Sequence, residues 1–336
     1  MAVTLHDVAR AAEVSIKTVS NVINDYPHVR PGTRARVEAA IAELGYRPNL
    51  SARSLRRGRT GVIGLALPEL SLPYFAELAD SVMRAADERG LTVLIEQTEG
   101  DPDRERSVLT SARRQLTDGL LFSPLGLGTA DEEALAVDFP LVLLGERVFT
   151  PRTDHVTMQN VAAARAATAH LIETGSRRVL ALGSHAGDGV SSASLRLQGY
   201  REALEDAGLP YDETLIGASG PWRRSGGAEA MRRVLDAGIE FDGVFALNDT
   251  LALGAMRALQ DAGVRVPHDV AVIGFDDIDE ARYASPSLSS IDSGRDEIAR
   301  TAVDVLQARI DGTAIEPPAL FEASFRVIAR ESTARR

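Results

Sequence analysis

The sequence predicts a small all-α head followed by a larger α/β body built on parallel sheets. Three observations predict it. The first 60 residues carry apolar residues at helical spacing in three short runs. That segment has 10 basic against 5 acidic residues, net +5, while the remainder is net −16. From Thr60 onward, short β-rich apolar runs alternate with helical stretches. With 336 residues, 44% of them hydrophobic, the chain can bury about two or three separate cores.

In the head, Thr4 with Asp7 three residues on has the form of a capping box, and Leu5, Val8, Ala9 and Ala12 follow on one helical face. A break at Glu13-Val14 precedes Ser15, an N-cap for a second helix whose apolar stripe is Val19, Val22 and Ile23. Two short helices and a tight turn make a helix-turn-helix. A third helix starts near Pro31, runs through Val37, Ala40, Ile41 and Leu44, and stops at Gly45.

With that stripe turned inward, the second helix presents Ile16, Lys17, Ser20 and Asn21 outward near its N-terminal end. Lys17 can donate to guanine O6 and N7, Asn21 can pair bidentately with adenine, and Ile16 can pack on a thymine methyl. Ser15, Thr18 and Arg34 suit phosphates, which orient a protein on DNA without carrying sequence information. Spacing alone leaves an ordinary solvated helix face open as the alternative.

The basic segment Pro48 to Gly58 is interrupted by Ala52 and Leu55, three apart on one helical face and flanked by Arg53 and Arg56. Apolar side chains among arginines can wedge into a minor groove and bend the duplex. A helix of fewer than about 12 residues is marginal in water, so this one is expected to order only on DNA.

Composition excludes several classes. Cysteine is absent, which removes disulfides, thiolate nucleophiles and cysteine-ligated metals, and the six histidines lack ligand spacing, so neither metal nor cofactor is expected. Every basic residue except Lys17 is arginine, which leaves no Walker-type or Schiff-base lysine elsewhere. Gly126-Leu127-Gly128 lacks the third glycine of a dinucleotide loop, and no GxSxG elbow occurs. An enzyme is not expected. No run approaches the roughly 18 apolar residues of a membrane span, and Met1 to Glu13 has no signal-peptide core, so the expected location is the cytoplasm.

In the body, strands are expected at Val62 to Leu67, Leu91 to Gln97, Gly119 to Phe122, Leu141 to Leu144, Val179 to Leu182, Gly243 to Leu247 and Val270 to Phe275. Helices are expected at Tyr74 to Arg89, Arg104 to Gln115, Ala162 to Glu173, Leu195 to Ala207, Ala228 to Ala237 and Leu251 to Ala262. Ligands of open parallel sheets sit beyond the carboxyl ends of the strands. There the sequence places Leu72, Pro73, Tyr74 and Phe75, then Asn248 and Asp249, then Asp276 and Asp277. Carboxylates and amides that grip hydroxyl pairs, beside aromatic rings that cover an apolar sugar face, suit a polyhydroxylated ligand. Asn and Asp after strands are also common turn formers and helix caps.

The runs TLHDVARAAEVSIKTVSNVIN (4–24), TRARVEAAIAELGYRPN (33–49) and SARSLRRGRTGVIGL (51–65) resemble the lac repressor family of bacterial regulators, and the similarity extends to about Arg330. The resemblance implies that Ile16, Lys17 and Asn21 read bases and that Leu55, with Ala52 beside it, is an intercalating hinge leucine. It also implies a homodimer over a palindromic operator on double-stranded DNA. Glu13 departs from the Gly or Asn frequent in the family's turn, and local strain is expected there.

The runs at 191–200, 247–259 and 272–291 are similar to the family's effector-domain motifs. They imply a pocket of Tyr74, Phe75, Asn160, Arg196, Trp222, Asn248 and Asp276. Arg196 would be the main gripping cation, Asp276 the main acceptor of hydroxyl protons, and Trp222 or Phe75 the ring beneath the ligand. Ser293 stands near a position where relatives often carry glutamine.

The implied architecture is two-lobed, like periplasmic sugar-binding proteins. The DNA-binding domain would span 1–48, the hinge 49–60 and the effector domain 61–336. Lobe one would hold about 61–160 and 293–323, lobe two about 161–292 and 324–336. The expected function is a small-molecule-controlled transcription regulator, a repressor sensing a sugar. A purine or nucleoside sensor is the alternative within that class, and a non-regulatory sugar-binding protein the alternative outside it.

Overall fold

The computed structural model describes residues 3–23, 26–46, 59–111, 115–146, 152–185 and 190–334. They fall into two units that divide between Thr60 and Gly61.

The head contains α1 (Leu5–Ala11), α2 (Ile16–Ile23) and α3 (Pro31–Leu44). The capping box closes α1: Thr4 N donates to Asp7 Oδ2 at 3.0 Å and Asp7 N donates back to Thr4 Oγ1 at 3.4 Å. Ser15 caps α2, its Oγ accepting from Thr18 N at 3.1 Å. Pro31 opens α3, and Gly45 ends it in the left-handed region at φ 62°, where a side chain would be strained. Val8, Ala9, Val19, Val22, Val37, Ala40 and Tyr46 are buried together as one small core.

The body opens with β1 (Val62–Leu67), α4 (Pro73–Asp87), β2 (Thr92–Gln97), α5 (Pro102–Thr110), β3 (Gly119–Phe122), β4 (Leu141–Leu144) and β5 (Asp154–Met158). It continues with α6 (Asn160–Glu173), β6 (Val179–Ser184), α7 (Ser192–Asp206), β7 (Ile216–Ala218), α8 (Arg224–Asp236), β8 (Gly243–Ala246), α9 (Asp249–Asp261) and β9 (Ala271–Ile273). The last part holds α10 (Asp279–Tyr283), β10 (Ser290–Asp292), α11 (Arg295–Asp311), β11 (Leu320–Ala323) and β12 (Arg326–Ile328).

One sheet has the order β11-β5-β4-β3-β1-β2 and a second the order β7-β6-β8-β9. Both are parallel throughout. Their inner strands are buried on both faces, as sheets covered by crossover helices must be. β10 and β12 pair antiparallel, with Ile291 opposite Val327. The chain leaves the six-stranded sheet after β5, comes back to it with α11 and β11, and leaves it again for β12.

Several expected elements differ in extent, among them α8, which begins at Arg224 and not Ala228, and two show the physical reason. The helix expected from Arg104 runs instead from Pro102 to Thr110, because Asp101 caps it by accepting from Asp103 N and Arg104 N at 3.0 and 2.9 Å. The strand expected from Val270 to Phe275 is only Ala271–Ile273, since the chain then turns into positive φ at Asp276 (111°) and Asp277 (47°).

Gly254 of α9 and Gly227 of α8 let these two helices cross with backbones in contact. A Cβ on Gly254 would overlap the Arg224 carbonyl oxygen, and one on Gly227 that of Leu251. The close crossing brings the two helix N-termini together, and Thr250 Oγ1 donates to the Trp222 carbonyl at 2.6 Å.

Candidate DNA-reading helix and ligand cleft

On α2, Val19 and Val22 are buried and Lys17 is exposed, with Ser20 and Asn21 half-buried beside it. Ile16 differs from the expectation. It is half-buried and packs against the head's core, because residues 16, 19 and 23 stand three and four apart and so share the inward stripe. The Ser15 and Thr18 hydroxyls hydrogen-bond to each other at 2.9 Å as part of the cap, and Arg34 Nη2 donates to the Tyr26 carbonyl at 3.1 Å. Glu13 sits in the left-handed region at φ 51°, the strain anticipated from its departure at the turn. Ala52, Arg53, Leu55 and Arg56 lie outside the described residues.

In the body, a cavity of about 480 Å3 opens at the carboxyl ends of both parallel sheets. Tyr74 and Phe75 reach it after β1, Glu146 after β4, His185 after β6, Trp222 after β7, Asn248 after β8 and Asp276 after β9. Six of the seven residues expected there line it, and Asn160 does not. Asn160 stands behind the wall, linking two residues that do.

Arg196 is only 3% exposed, so its charge needs partners inside the protein. Its Nε donates to Asn160 Oδ1 at 2.8 Å, its Nη1 to the Leu247 carbonyl, and its Nη2 lies 3.7 Å from Asp276 Oδ1. The guanidinium also stacks 3.6 Å from the Phe275 ring centre. Asn160 Nδ2 donates to Glu146 Oε2 at 3.2 Å, and the Ser192 hydroxyl donates to Glu146 Oε1. Glu146 and Ser192 were missed from sequence, though Glu146 obeys the same rule as the others: it follows a strand.

Asp276 is held from both sides. Its N–H donates to the Ile291 carbonyl at 2.9 Å and its carbonyl accepts from Arg295 Nη1 at 3.1 Å. These bonds sustain a backbone conformation that aspartate otherwise avoids. Burial pushes its carboxyl up to about 7, against the pull of Arg196 and Arg295 and with the repulsion of Glu77 and Glu146. It can therefore accept or donate a hydrogen bond near neutral pH. Burial also raises the Tyr74 phenol, so that it stays a hydroxyl.

Asn248 has two tasks. Its Oδ1 caps α9, accepting from Leu251 N at 2.9 Å and from Thr250 Oγ1 at 3.0 Å, while the residue also lines the cavity. Trp222 is fixed by its Nε1 donating to the Gly183 carbonyl at 2.9 Å, with the Arg196 guanidinium 5.5 Å from its ring centre. Asp249 is wholly buried. Its carboxyl accepts from Ser290 Oγ at 2.6 Å and Ile278 N at 3.0 Å, which ties β10 to α9 behind the cavity.

Residues 4–49 match the family model "Bacterial regulatory proteins, lacI family", and residues 168–333 match "Periplasmic binding protein-like domain". The chain is 36% identical over 309 residues to the ribose operon repressor of Escherichia coli (strain K12), covering 91% of this chain and 93% of that protein. The chain belongs to the lacI family of bacterial regulatory proteins. A solved LacI-family transcriptional regulator from Sanguibacter keddieii DSM 10542 is 54% identical at a TM-score of 0.76, covering 82% of this chain and all of that one. The lac repressor dimer bound to operator and the anti-inducer ONPF superposes at a TM-score of 0.83 with 28% identity, over 99% of each chain. This member of the lacI family is thus a DNA-binding transcriptional regulator and not an enzyme. Among the described residues no helix is long and apolar enough to cross a membrane.

Proposed function

We propose that this regulator is a homodimeric repressor that binds a palindromic operator in the cytoplasm and whose operator affinity is set by a sugar held in the cleft. The observation that carries the sugar reading is the convergence of Glu146, Asp276, Ser192 and Asn248 with the rings of Tyr74, Phe75 and Trp222 at the carboxyl ends of two parallel sheets. The ribose operon repressor, a relative along most of the chain, supports the choice by its name, and the dimer on operator supports the assembly.

In this reading Lys17, Ser20, Asn21 and the exposed part of Ile16 face the major groove, with Ser15, Thr18 and Arg34 at phosphates. Ala52, Arg53, Leu55 and Arg56 form the minor-groove hinge. The sugar changes how the lobes of the body close and so changes the spacing of the paired hinges. Ligand and operator are then linked, each altering the affinity of the other by the same factor.

The test is nuclease footprinting and fluorescence anisotropy on the DNA upstream of the protein's own gene, with and without a panel of sugars. A symmetric protected site whose affinity shifts with one sugar supports the proposal. Asn21→Ala is expected to lose about 1–3 kcal/mol at one base pair of each half-site and little on random DNA. Uniform loss on all DNA would remove Asn21 from base reading.

A further inference from the structure

The chain passes between the two parallel sheets of the body at Gln159, at Ser293 and at Ser324. These crossings lie side by side: Gln159 Nε2 donates to the Ala323 carbonyl at 3.0 Å, and a Cβ on Gly294 would overlap the Ser324 carbonyl oxygen. They stand at one edge of each sheet, beside β5 and β11 in the first and beside β9, where Ile273 bridges to Ser289, in the second. Strand β1 lies three places from β5, and β7 three places from β9, about 14 Å at the usual strand spacing. The loops that follow β1 and β7 therefore meet on the side of the cleft away from the crossings.

On that side Arg223 Nη2 pairs with Glu69 Oε1, Arg223 Nη1 donates to Ser71 Oγ at 3.3 Å, and the Ser71 hydroxyl donates to Glu69. The bond from Ser71, with Arg223 adding to it, holds the Glu69 carboxyl below the usual carboxylate range, so it is charged at neutral pH. Each arm is anchored to its own sheet. Leu70 N donates to Gln97 Oε1 at the end of β2 at 3.1 Å, and Trp222 is held by the Gly183 carbonyl and by Thr250. Glu69, Ser71 and Arg223 do not line the cavity, but their neighbours Leu72, Pro73, Pro221 and Trp222 do. Glu77 makes a second bridge, accepting from Asp279 N at 2.9 Å, yet it also pairs at 2.7 Å with Arg295, which follows the crossing at Ser293.

We propose that Glu69, Ser71 and Arg223 form a clasp that gates the cleft. Shut, it restricts passage between solvent and the cavity; broken, it lets the two loops part about the crossings. The Glu69 and Arg223 side chains are 27% and 44% exposed, so their pair is weak and screened by salt, as a gate that opens repeatedly requires. The clasp acts on whatever the cavity holds and does not rest on the sugar reading.

The test uses Trp222, the sole tryptophan, which lines the cavity beside the clasp. Acrylamide quenching of its fluorescence in the full-length protein measures passage through the mouth. Glu69→Ala breaks the clasp from the arm opposite Trp222, at a position outside every helix and strand. This variant is expected to raise the quenching constant about twofold or more. Raising NaCl from about 0.05 M to about 1 M is expected to do the same in the parent and to leave Glu69→Ala unchanged. Acrylamide is uncharged, so salt acts on the protein and not on the probe.

Glu69→Arg is expected to raise quenching further by repulsion, and the addition of Arg223→Glu to return it to the parent value. Arg165→Ala, which breaks an exposed pair with Asp206, is the control and is expected to change nothing. Quenching in Glu69→Ala equal to the parent's at both salt concentrations overturns the proposal. A rise that the reversed pair does not undo overturns the pairing of Glu69 with Arg223 as the clasp. An equal rise in Arg165→Ala overturns it as well, since the loss of any surface pair would then suffice.

Discussion

Arg196 donates its Nε hydrogen to Oδ1 of Asn160 at 2.8 Å, and through that bond a residue outside the cavity orients the guanidinium inside it. The same amide gives its Nδ2 hydrogen to Glu146, so one side chain sets both a cation and an anion of the cleft. Asn160→Ala leaves both short of a partner in a buried setting. The body is expected to lose about 1–3 kcal/mol of stability, and effector affinity to fall although no residue lining the cavity has been removed. Thermal denaturation and calorimetric titration check the two effects, and unchanged affinity would show that Asn160 does not position Arg196.

The raised carboxyl of Asp276 is expected to make the protein's stability depend on pH. Its folded pKa of about 7 lies above the ordinary value of 3.8 because burial disfavours the carboxylate. A carboxyl raised in this way supports folding while it is protonated, and that support is lost as pH climbs from about 4 through 7. The difference is on the order of 4 kcal/mol at most. Asp276→Asn keeps the shape and removes the ionisation. The variant is therefore expected to melt higher than the parent at pH 8, with the gap closing toward pH 5. Parallel melts of the two proteins across that range check it, and a constant gap would refute the assignment.

The α8–α9 crossing is expected to tolerate no side chain at Gly254. A methyl group there meets the Arg224 backbone, not a movable side chain, so the helices must separate. Gly254→Ala is expected to destabilise the body by about 1–3 kcal/mol. Because the crossing also holds Thr250 against the Trp222 carbonyl, ligand affinity should fall with it. A melt of the variant beside the parent measures the first effect and titration the second.

What could be read from sequence follows the range of the interactions concerned. The capping box at Thr4 and Asp7, the N-cap at Ser15 and the stop at Gly45 are local, and the structure has each of them. Tyr74, Asn248 and Asp276 could be placed because each follows a strand of recognisable β composition. The strand Asp154–Met158 was not read, since Asp154, His155 and Thr157 resemble a polar loop. Their burial depends on distant partners: Arg309 Nε meets Asp154 at 2.6 Å, and β11 pairs alongside. Ile16 is a different case. Its spacing to Val19 and Ile23 was available, but the base-reading expectation for that position outweighed it.

Glu13 offers a gain in stability. A non-glycine residue at φ 51° carries strain of about 1–2 kcal/mol, relieved in Glu13→Gly and partly offset by the greater freedom of glycine in the unfolded chain. The net expectation is a head more stable by about 1 kcal/mol. The sole tryptophan, Trp222, belongs to the body, so its fluorescence follows the body's unfolding while far-ultraviolet circular dichroism follows both units. In Glu13→Gly the dichroism transition of the head should move to higher denaturant with the Trp222 transition unmoved. A shift in both, or in neither, would mean that the turn at Glu13 stores no strain of its own.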